Sequence, residues 1–570
     1  MAGEFEVTGS NAKAPFTLKI HRGEGMVLLA MNWKVGKPPK DFVGFAIEYQ
    51  EPGNDRFFPL TNRINFPLPD GRVNHKRSST RVSPIQKFRW VHFPFHAEKL
   101  GGFHYRVVPV FMNAGDDLSF GEPQEAVVDL QRETYPRKLN VTFTRGFVLS
   151  QAFADTFAEG APFSKLIPAD AAKGLEFKAT HPEAATALPW MGFEARQAIL
   201  DVLDEAIADK NAQVRVVAYE LNEPVIVEKL EKLGPRLKAI IDDSDKHHEG
   251  TSGESKAAKR LLTSAGPNNV KRQHMGGLQH NKTIVVDGPK ARAAVCGSTN
   301  LSWRGFFVQN NNAVILRTKP AIKQFLDAFE AYWQHDDVAG FSGTASAKGI
   351  PLKLTGIDAD VGFSPYTPAN ARLLTIANDI ANNATSSVLY SLAFLDQVKG
   401  PFLEAIKKVT RDPKIFVYGI ADKTVGGLDV QLPNGNVGAV SPTALAGKVP
   451  EPFRSEPKGG SGVRMHHKFV VIDFDKPTAR VYLGSYNFSD AADGDNGENL
   501  LLFRDRKIAV AYAVEALRIF DHYHFRVKQE DKQAKKQLVL ARPPRAAGEK
   551  PWWDEDFSKA QKIRDRELFA

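Results

Sequence analysis

His280-Asn281-Lys282-Thr283-Ile284-Val285-Val286-Asp287 is an H-x-K-x4-D stretch, and it recurs as His466-His467-Lys468-Phe469-Val470-Val471-Ile472-Asp473. Each copy is followed by a Gly-Ser-x-Asn: Gly297-Ser298-Thr299-Asn300 after the first and Gly484-Ser485-Tyr486-Asn487 after the second. One H-x-K is common by chance, but two full copies with the same trailing tetrapeptide are not. The apolar, β-branched runs inside the motifs read as strands. Residues two apart on a strand share a face, so His280 projects with Lys282, His466 with Lys468, Ser298 with Asn300 and Ser485 with Asn487. Asp287 and Asp473 fall at the far ends of those strands, where they orient neighbours or close the turn.

Around the motifs the chain repeats itself. In the first copy a helical stretch, 193–207, leads to a strand, 214–219, a second helix, 223–233, and the segment 237–241. A polar segment, 242–277, then reaches His280. The second copy has a helix at 369–382, a strand at 387–391, a helix at 402–409, a strand at 414–420 and a polar segment, 421–464, before His466. Both copies close with a helix, 320–335 and 507–522. Strands alternating with helices predict an α/β sheet in each copy, and the repeated order predicts an internal pseudo-two-fold. The two polar segments, rich in Gly, Ser, Pro and Lys, read as long loops that wall a cleft. Lys256, Lys259, Arg260, Lys271 and Arg272 place cations on the first of them, facing either substrate or solvent.

Before the repeat, 16–20, 26–33, 43–49, 88–91, 105–111 and 126–130 are short aromatic and β-branched runs. They are separated by turn signals at 36–39, 52–54, 69–71 and 113–115, a pattern that predicts a small β-sandwich. Trp33 and Tyr105 resemble the core pair of a fibronectin type III or immunoglobulin-like module. The expected fold is therefore multi-domain: an N-terminal all-β sandwich (1–135), two pseudo-symmetric α/β domains sharing one active site (136–345 and 346–535), and a C-terminal tail (536–570). The tail's Pro551-Trp552-Trp553-Asp554-Glu555-Asp556-Phe557 is expected to dock on the body, since two free tryptophans would otherwise form an apolar patch for a membrane or a partner.

With 570 residues, the chain is too long for one domain. Its net charge of +9 suits an anionic partner, phospholipid or nucleic acid, without choosing between them. No run of eighteen apolar residues predicts a membrane-spanning helix. The polar N-terminus lacks the pattern of a secretory signal, so the expectation is a soluble monomer, cytoplasmic or exported by another route. The single cysteine, Cys296, forms no internal disulfide and reads as a small buried strand residue.

Brought together, the two motifs set two imidazoles among two lysines and two Ser/Asn pairs, a combination that suits a phosphoryl group. Lys282 and Lys468 offset charge on the non-bridging oxygens, and Asn300 and Asn487 donate hydrogen bonds to them. One histidine attacks phosphorus to form a phosphohistidine, and the other handles the proton of the leaving and entering oxygens. With lysines supplying the positive charge, the chemistry calls for no cofactor or metal. Each imidazole needs a partner on its second nitrogen. Glu498, ahead of the strand 500–503, is the candidate in the second copy, and Asn311 stands at the aligned place in the first.

These residues resemble the phospholipase D superfamily, whose signature is the duplicated H-x-K-x4-D with G-S-x-N. The resemblance spans about 139–531 and implies a two-step displacement at a phosphodiester. In two-motif members the N-terminal histidine, here His280, is usually the nucleophile, whereas a carboxylate at Glu498 argues for His466. Asn311 replaces the carboxylate commonly found at its place, and the turns between Asp and Gly-Ser are longer than usual. The single-chain layout is similar to soluble bacterial phospholipases, which makes a phospholipid the expected substrate. The second motif is similar to the small nucleases and cardiolipin hydrolases, which makes a nuclease the alternative. A third expectation, of another class, is a surface- or partner-binding protein acting through the β-module, with peripheral membrane contact. A zinc site from His247, His248, His274 and His280 matches no tetrahedral spacing, and the first three read as solvated loop residues.

Overall fold

A computed structural model describes residues 4–74, 76–130, 133–146, 157, 163–428, 436–440, 465–530 and 539–570. The N-terminal region is rich in antiparallel sheet. One sheet pairs Glu6–Thr8, Phe16–Arg22, Val27–Trp33 and Arg89–His92. The other is built on Gly102–Met112, which pairs with Leu118–Phe120, Gln124–Asp129 and Phe42–Gln50. Alternate residues of both sheets, among them Phe16, Leu18, Ile20, Leu29, Phe45, Ile47, Phe103, Tyr105 and Val107, fill one apolar cluster. This is the packing expected of strands with one buried face. Trp33 lies against Phe42, and Tyr105 lies against Tyr49 and His92.

The rest is α/β. The first sheet contains β1 (Leu139–Phe143), β2 (Gln213–Ala218), β3 (Leu237–Asp242), β4 (Val270–Gln273), β5 (Lys282–Asp287), β6 (Arg292–Gly297) and β7 (Asn312–Leu316), in the spatial order β1-β7-β6-β5-β2-β3-β4. The second contains β8 (Asp358–Ser364), β9 (Ser387–Leu392), β10 (Phe416–Ala421), β11 (Val437–Val440), β12 (Lys468–Ile472), β13 (Arg480–Gly484) and β14 (Glu498–Arg504), in the order β8-β14-β13-β12-β9-β10-β11. The two orders correspond strand for strand. A short pairing at Ile350–Pro351 extends the edge at β8. Helices α1 (Ala184–Ala208), α2 (Gly253–Ala265), α3 (Lys319–Gln334), α4 (Leu373–Asn383), α5 (Pro401–Arg411) and α6 (Arg506–Glu530) accompany the sheets. Among the described residues no helix is long and apolar enough to cross a membrane.

The expectation of a long loop at 242–277 is corrected. The segment folds as α2 and β4. Ser252 caps α2 by accepting from the Ser255 N–H at 3.0 Å, and Ala257, Ala258, Leu261 and Ala265 form its buried face. The polar composition belongs to the other face. Four of its five cations are engaged in the body of the fold: Lys256 with Glu176 and the Ala172 carbonyl, Arg260 with both oxygens of Glu231, Lys271 with the Trp333 carbonyl, and Arg272 with the carbonyls of Asp242 and His247, whereas Lys259 is exposed. Most of the second polar segment, 429–435 and 441–464, lies outside the described residues, and so does its expected part in walling the cleft. The helix expected at 193–207 starts earlier, at Ala184, and bends where Phe193 leaves helical geometry.

The C-terminal segment packs on the β-region and on the second sheet. Trp552 stacks on Phe88 and donates its indole N–H to the Phe42 carbonyl at 3.0 Å. In α7 (Ala560–Phe569) Asp565 pairs with Arg89 and Tyr418, and the Phe569 ring stacks on Phe474.

The two motif aspartates do different work at their strand ends. Asp473 is fully buried and accepts the backbone N–H groups of Thr385, Ser386 and Ser387 along with both hydroxyls of the first two. Asp287 is half exposed, 3.6 Å from Arg292. Asp473→Ala orphans buried donors and is expected to cost about 3 kcal/mol or more. Asp287→Ala is expected to stay within about 0.5 kcal/mol of the parent. Urea unfolding of the two variants checks this.

Candidate active site

The motif lysines open β5 and β12, and the histidines sit just before the strands. Each ammonium folds back to the carbonyl of its own histidine, Lys282 to His280 and Lys468 to His466. β6 and β13 end in Gly297 and Gly484, with φ of +122° and +144°. A Cβ at these glycines would stand 2.6 Å from the Asn312 carbonyl oxygen and 2.2 Å from that of Asn499. Only glycine lets the neighbouring strand approach this closely. The following serines close the turn: Ser298 and Ser485 accept the N–H of Asn312 and Asn499, both at 3.0 Å.

The two motifs meet. The rings of His280 and His466 face each other with centroids 6.4 Å apart and planes at 69°. Each is held by the other half. His280 Nδ1 lies 2.8 Å from Glu498 Oε2, and His466 Nδ1 lies 2.9 Å from Asn311 Oδ1 and 3.2 Å from the Ser298 carbonyl. The next residues repeat the exchange: Asn499 donates to Asn281 Oδ1 at 3.0 Å, and the Asn312 amide lies 3.4 Å from His467 Nδ1. This corrects the expected pairing of Glu498 with the histidine of its own copy. β7 and β14 begin at the junction of the halves, so their first side chains cross it. The carboxylate therefore supports His280, and the argument from Glu498 for His466 is removed.

Of the remaining expected residues, Asn300 is fully buried, and neither of its amide atoms has a hydrogen-bond partner among the described residues. The Asn487 amide nitrogen lies 3.4 Å from Glu498 Oε1, and its oxygen has no partner among the described residues. Asp287 and Asp473 are not brought to the imidazoles. Five residues of extended chain separate each from its lysine, about 16 Å. Among the candidate zinc ligands, His274 and His248 are exposed beside Asp243, but His247 is not a solvated loop residue: it is largely buried, with Nδ1 2.7 Å from Asp242.

Sequence reasoning missed two aromatic walls. Tyr219 packs on the His280 ring at 4.6 Å, with the Lys282 ammonium 4.6 Å from its centroid. Phe394 lies 6.3 Å from the His466 ring and 5.8 Å from the Lys468 ammonium. In the sequence Tyr219 reads only as the end of a strand. An aromatic residue just past the edge of the motif's neighbour strand in both halves is the signal that was available.

Burial sets the electrostatics. It pushes both imidazoles well below their ordinary range, and the two lysines push the same way. Lys282 is brought down to about 7 by burial, against the pull of Glu498, Glu220 and Asp242, and Lys468 is lowered as well. Burial raises Glu498 to about 8 against the two lysines. The imidazoles are thus neutral, and once Glu498 is ionised, as charged Lys282 and Lys468 favour, a hydrogen bond from Nδ1–H to it leaves the His280 Nε2 lone pair free. A bound tetrahedral oxyanion favours the charged lysines. Above pH 7, where Lys282 has lost its proton in the empty site, anion binding is therefore expected to take up protons and to weaken as pH rises. Titration calorimetry with tungstate at pH 8, in two buffers of different ionisation enthalpy, measures the uptake.

Two buried imidazoles, each with a fixed partner, thus stand together with the two motif lysines. Residues 191–333 match the family model described as cardiolipin synthase, PLD-like domain. The chain carries a phospholipase D-like domain there, and it contains the first motif. Among solved structures, the chain is similar to phosphatidylserine synthase from Haemophilus influenzae Rd KW20, at 12% identity over 65% of this chain and 91% of that one, TM-score 0.40. It is also similar to Nuc, a phospholipase D family member from Salmonella typhimurium, at 22% identity over 24% of this chain and 87% of that one, TM-score 0.20. A third likeness is to NucT from Helicobacter pylori, at 21% identity over 29% and 97%, TM-score 0.19. No curated protein matches the chain.

Proposed function

We propose that this protein is an enzyme acting on phosphodiester bonds, a hydrolase of phospholipase D type that works in two steps through a phosphohistidine. The observation that carries the reading is the facing pair of imidazoles, 6.4 Å apart, each anchored by the opposite half. In the first step His280 Nε2 attacks phosphorus. The P–N bond forms and the P–O bond to the leaving alcohol breaks; His466, neutral in the empty site, takes up a proton from solvent with the anionic diester and gives it to that oxygen. In the second step His466 takes a proton from water, the water oxygen attacks phosphorus and the P–N bond breaks. An alcohol in place of water would give transphosphatidylation. Lys282, Lys468, Asn300 and Asn487 are assigned to the non-bridging oxygens, and the Asn300 amide, which has no partner among the described residues, supports this role. Ser298, Ser485, Asn311 and Glu498 are assigned to support.

The halves at 136–345 and 346–535 are read as a duplicated pair related by a pseudo-two-fold, with 1–135 as a β-sandwich module and 536–570 as a tail. The matching strand orders support the duplication. A phospholipid is the proposed substrate, with DNA or RNA as the alternative for the same chemistry. The test is one panel: phosphatidylcholine vesicles, single-stranded DNA, duplex DNA and RNA, each with the parent protein, His280→Ala and His466→Ala. Headgroup release lost in both variants supports the lipid reading, and nucleotide release lost in both supports the nuclease. Turnover unaffected by either substitution would sink the proposal. If deletion of the first 135 residues leaves turnover of a soluble diester intact but abolishes vesicle binding, targeting is the β-module's role.

A further inference from the structure

Two aspartates outside both motifs occupy matching places. Asp242, fully buried at the end of β3, accepts through Oδ1 the N–H of Gln279, the residue before His280, at 2.7 Å. Asp422, buried just past the end of β10, accepts through Oδ1 the N–H of Met465, the residue before His466, at 3.3 Å. The registers coincide. Ala218 of β2 lies opposite Lys282 on one side and Ile241 on the other, and Leu392 of β9 lies opposite Lys468 and Ala421. Each aspartate therefore stands one residue beyond the row that carries its motif lysine.

We propose that Asp242 and Asp422 are paired positioning residues, each fixing the backbone that enters its motif and each lending negative charge to the lysine of that motif. The inference rests on the proposed phosphoryl-transfer role of the histidines and lysines. Gln279 lies outside any helix or strand and Met465 makes only an isolated bridge with Asn310, and the N–H of each takes a side-chain acceptor. The same carboxylate favours the charged form of the adjacent ammonium: Asp242 for Lys282 and Asp422 for Lys468, alongside Glu498 and Glu220, while the other lysine opposes it at Lys468. The two imidazoles, uncharged in the empty site, and the Tyr219 and Phe394 rings complete the surroundings of the lysines. Asp242 is itself held, because its Oδ2 accepts from Ser244 N–H and Oγ and lies 2.7 Å from His247 Nδ1.

Asp422→Asn keeps an oxygen for the Met465 N–H and removes the charge. With bis(4-nitrophenyl) phosphate as probe, kcat is expected to fall about ten-fold, and the basic limb of its pH profile to move about one unit lower. Asp422→Glu restores the charge and should return the limb to the parent position. Asp242→Asn moves the limb the same way and tests the first half independently. Asp243→Asn, which faces His274 at the surface, serves as the unchanged control. A parent-like kcat and limb in Asp422→Asn, with His280→Ala and His466→Ala inactive, overturns the positioning role alone. Loss of kcat and of thermal stability with the limb unmoved also overturns it, leaving the aspartates only structural. Full activity in both histidine variants overturns the underlying assignment instead.

Discussion

His280→Ala is expected to lower turnover of any phosphodiester that the protein cleaves by about 10⁴-fold or more, the scale on which losing a nucleophile acts. The imidazole is 3% exposed and wedged between Tyr219 and the facing His466, so truncation to alanine removes the attacking nitrogen without freeing another group to replace it. The loss should not depend on the leaving group, because the missing P–N bond precedes departure in every case. His466→Ala behaves differently. Its penalty in the first step is that of a missing proton donor, about 10²- to 10⁴-fold for an alkoxide, and it nearly vanishes for a leaving group such as nitrophenolate that departs unprotonated. A single-turnover series of diesters graded by leaving-group acidity, read as the rate of the first leaving-group release, separates the two histidines. Equal slopes in both variants would contradict the assignment.

Glu498→Gln is expected to cost about 10²- to 10⁴-fold in kcat with little change in KM, as loss of the carboxylate behind a catalytic imidazole does elsewhere. Glutamine preserves the volume and offers an oxygen to His280 Nδ1–H, but it cannot offset the positive charge that grows on the ring as Nε2 bonds to phosphorus. It can also turn its amide nitrogen toward Nδ1, which would shift the proton onto Nε2 and block the attack. The buried carboxylate sits 2.8 Å from the ring, so the field it loses is hardly screened. Asn311→Ala, at the corresponding place behind His466, removes only a neutral acceptor and should cost closer to about ten-fold. A smaller loss in Glu498→Gln than in Asn311→Ala would reverse the assignment of nucleophile and acid.

Much of the site was legible because strand alternation is a local rule. His and Lys two apart, and Ser and Asn two apart, reach one face on geometry alone, and the duplicated order of strands and helices was readable from periodicity. The crossing of Glu498 to His280 was not, since that contact joins residues 218 positions apart across the junction of the halves and leaves no trace in spacing. The same holds for Asp242 and Asp422, which look like ordinary strand-ending aspartates until the register is known. Composition misled at 242–277, where lysines, serines and glycines hid an amphipathic helix whose buried face is mostly alanine. Asp287 and Asp473 share one motif position, yet only the second has backbone donors facing it. That difference comes from the neighbouring turn at 385–387 and not from the motif.

The two-step account is tested most directly by trapping the covalent intermediate. In His466→Ala, bis(4-nitrophenyl) phosphate should still phosphorylate the nucleophile, because nitrophenolate leaves without a proton, while hydrolysis stalls for want of a base. The account predicts a burst of about one equivalent of nitrophenolate per site. After an alkaline quench, peptide mass mapping should place a 4-nitrophenylphosphoryl group on His280. An adduct on any other residue, or steady release with no burst and no adduct, would contradict it.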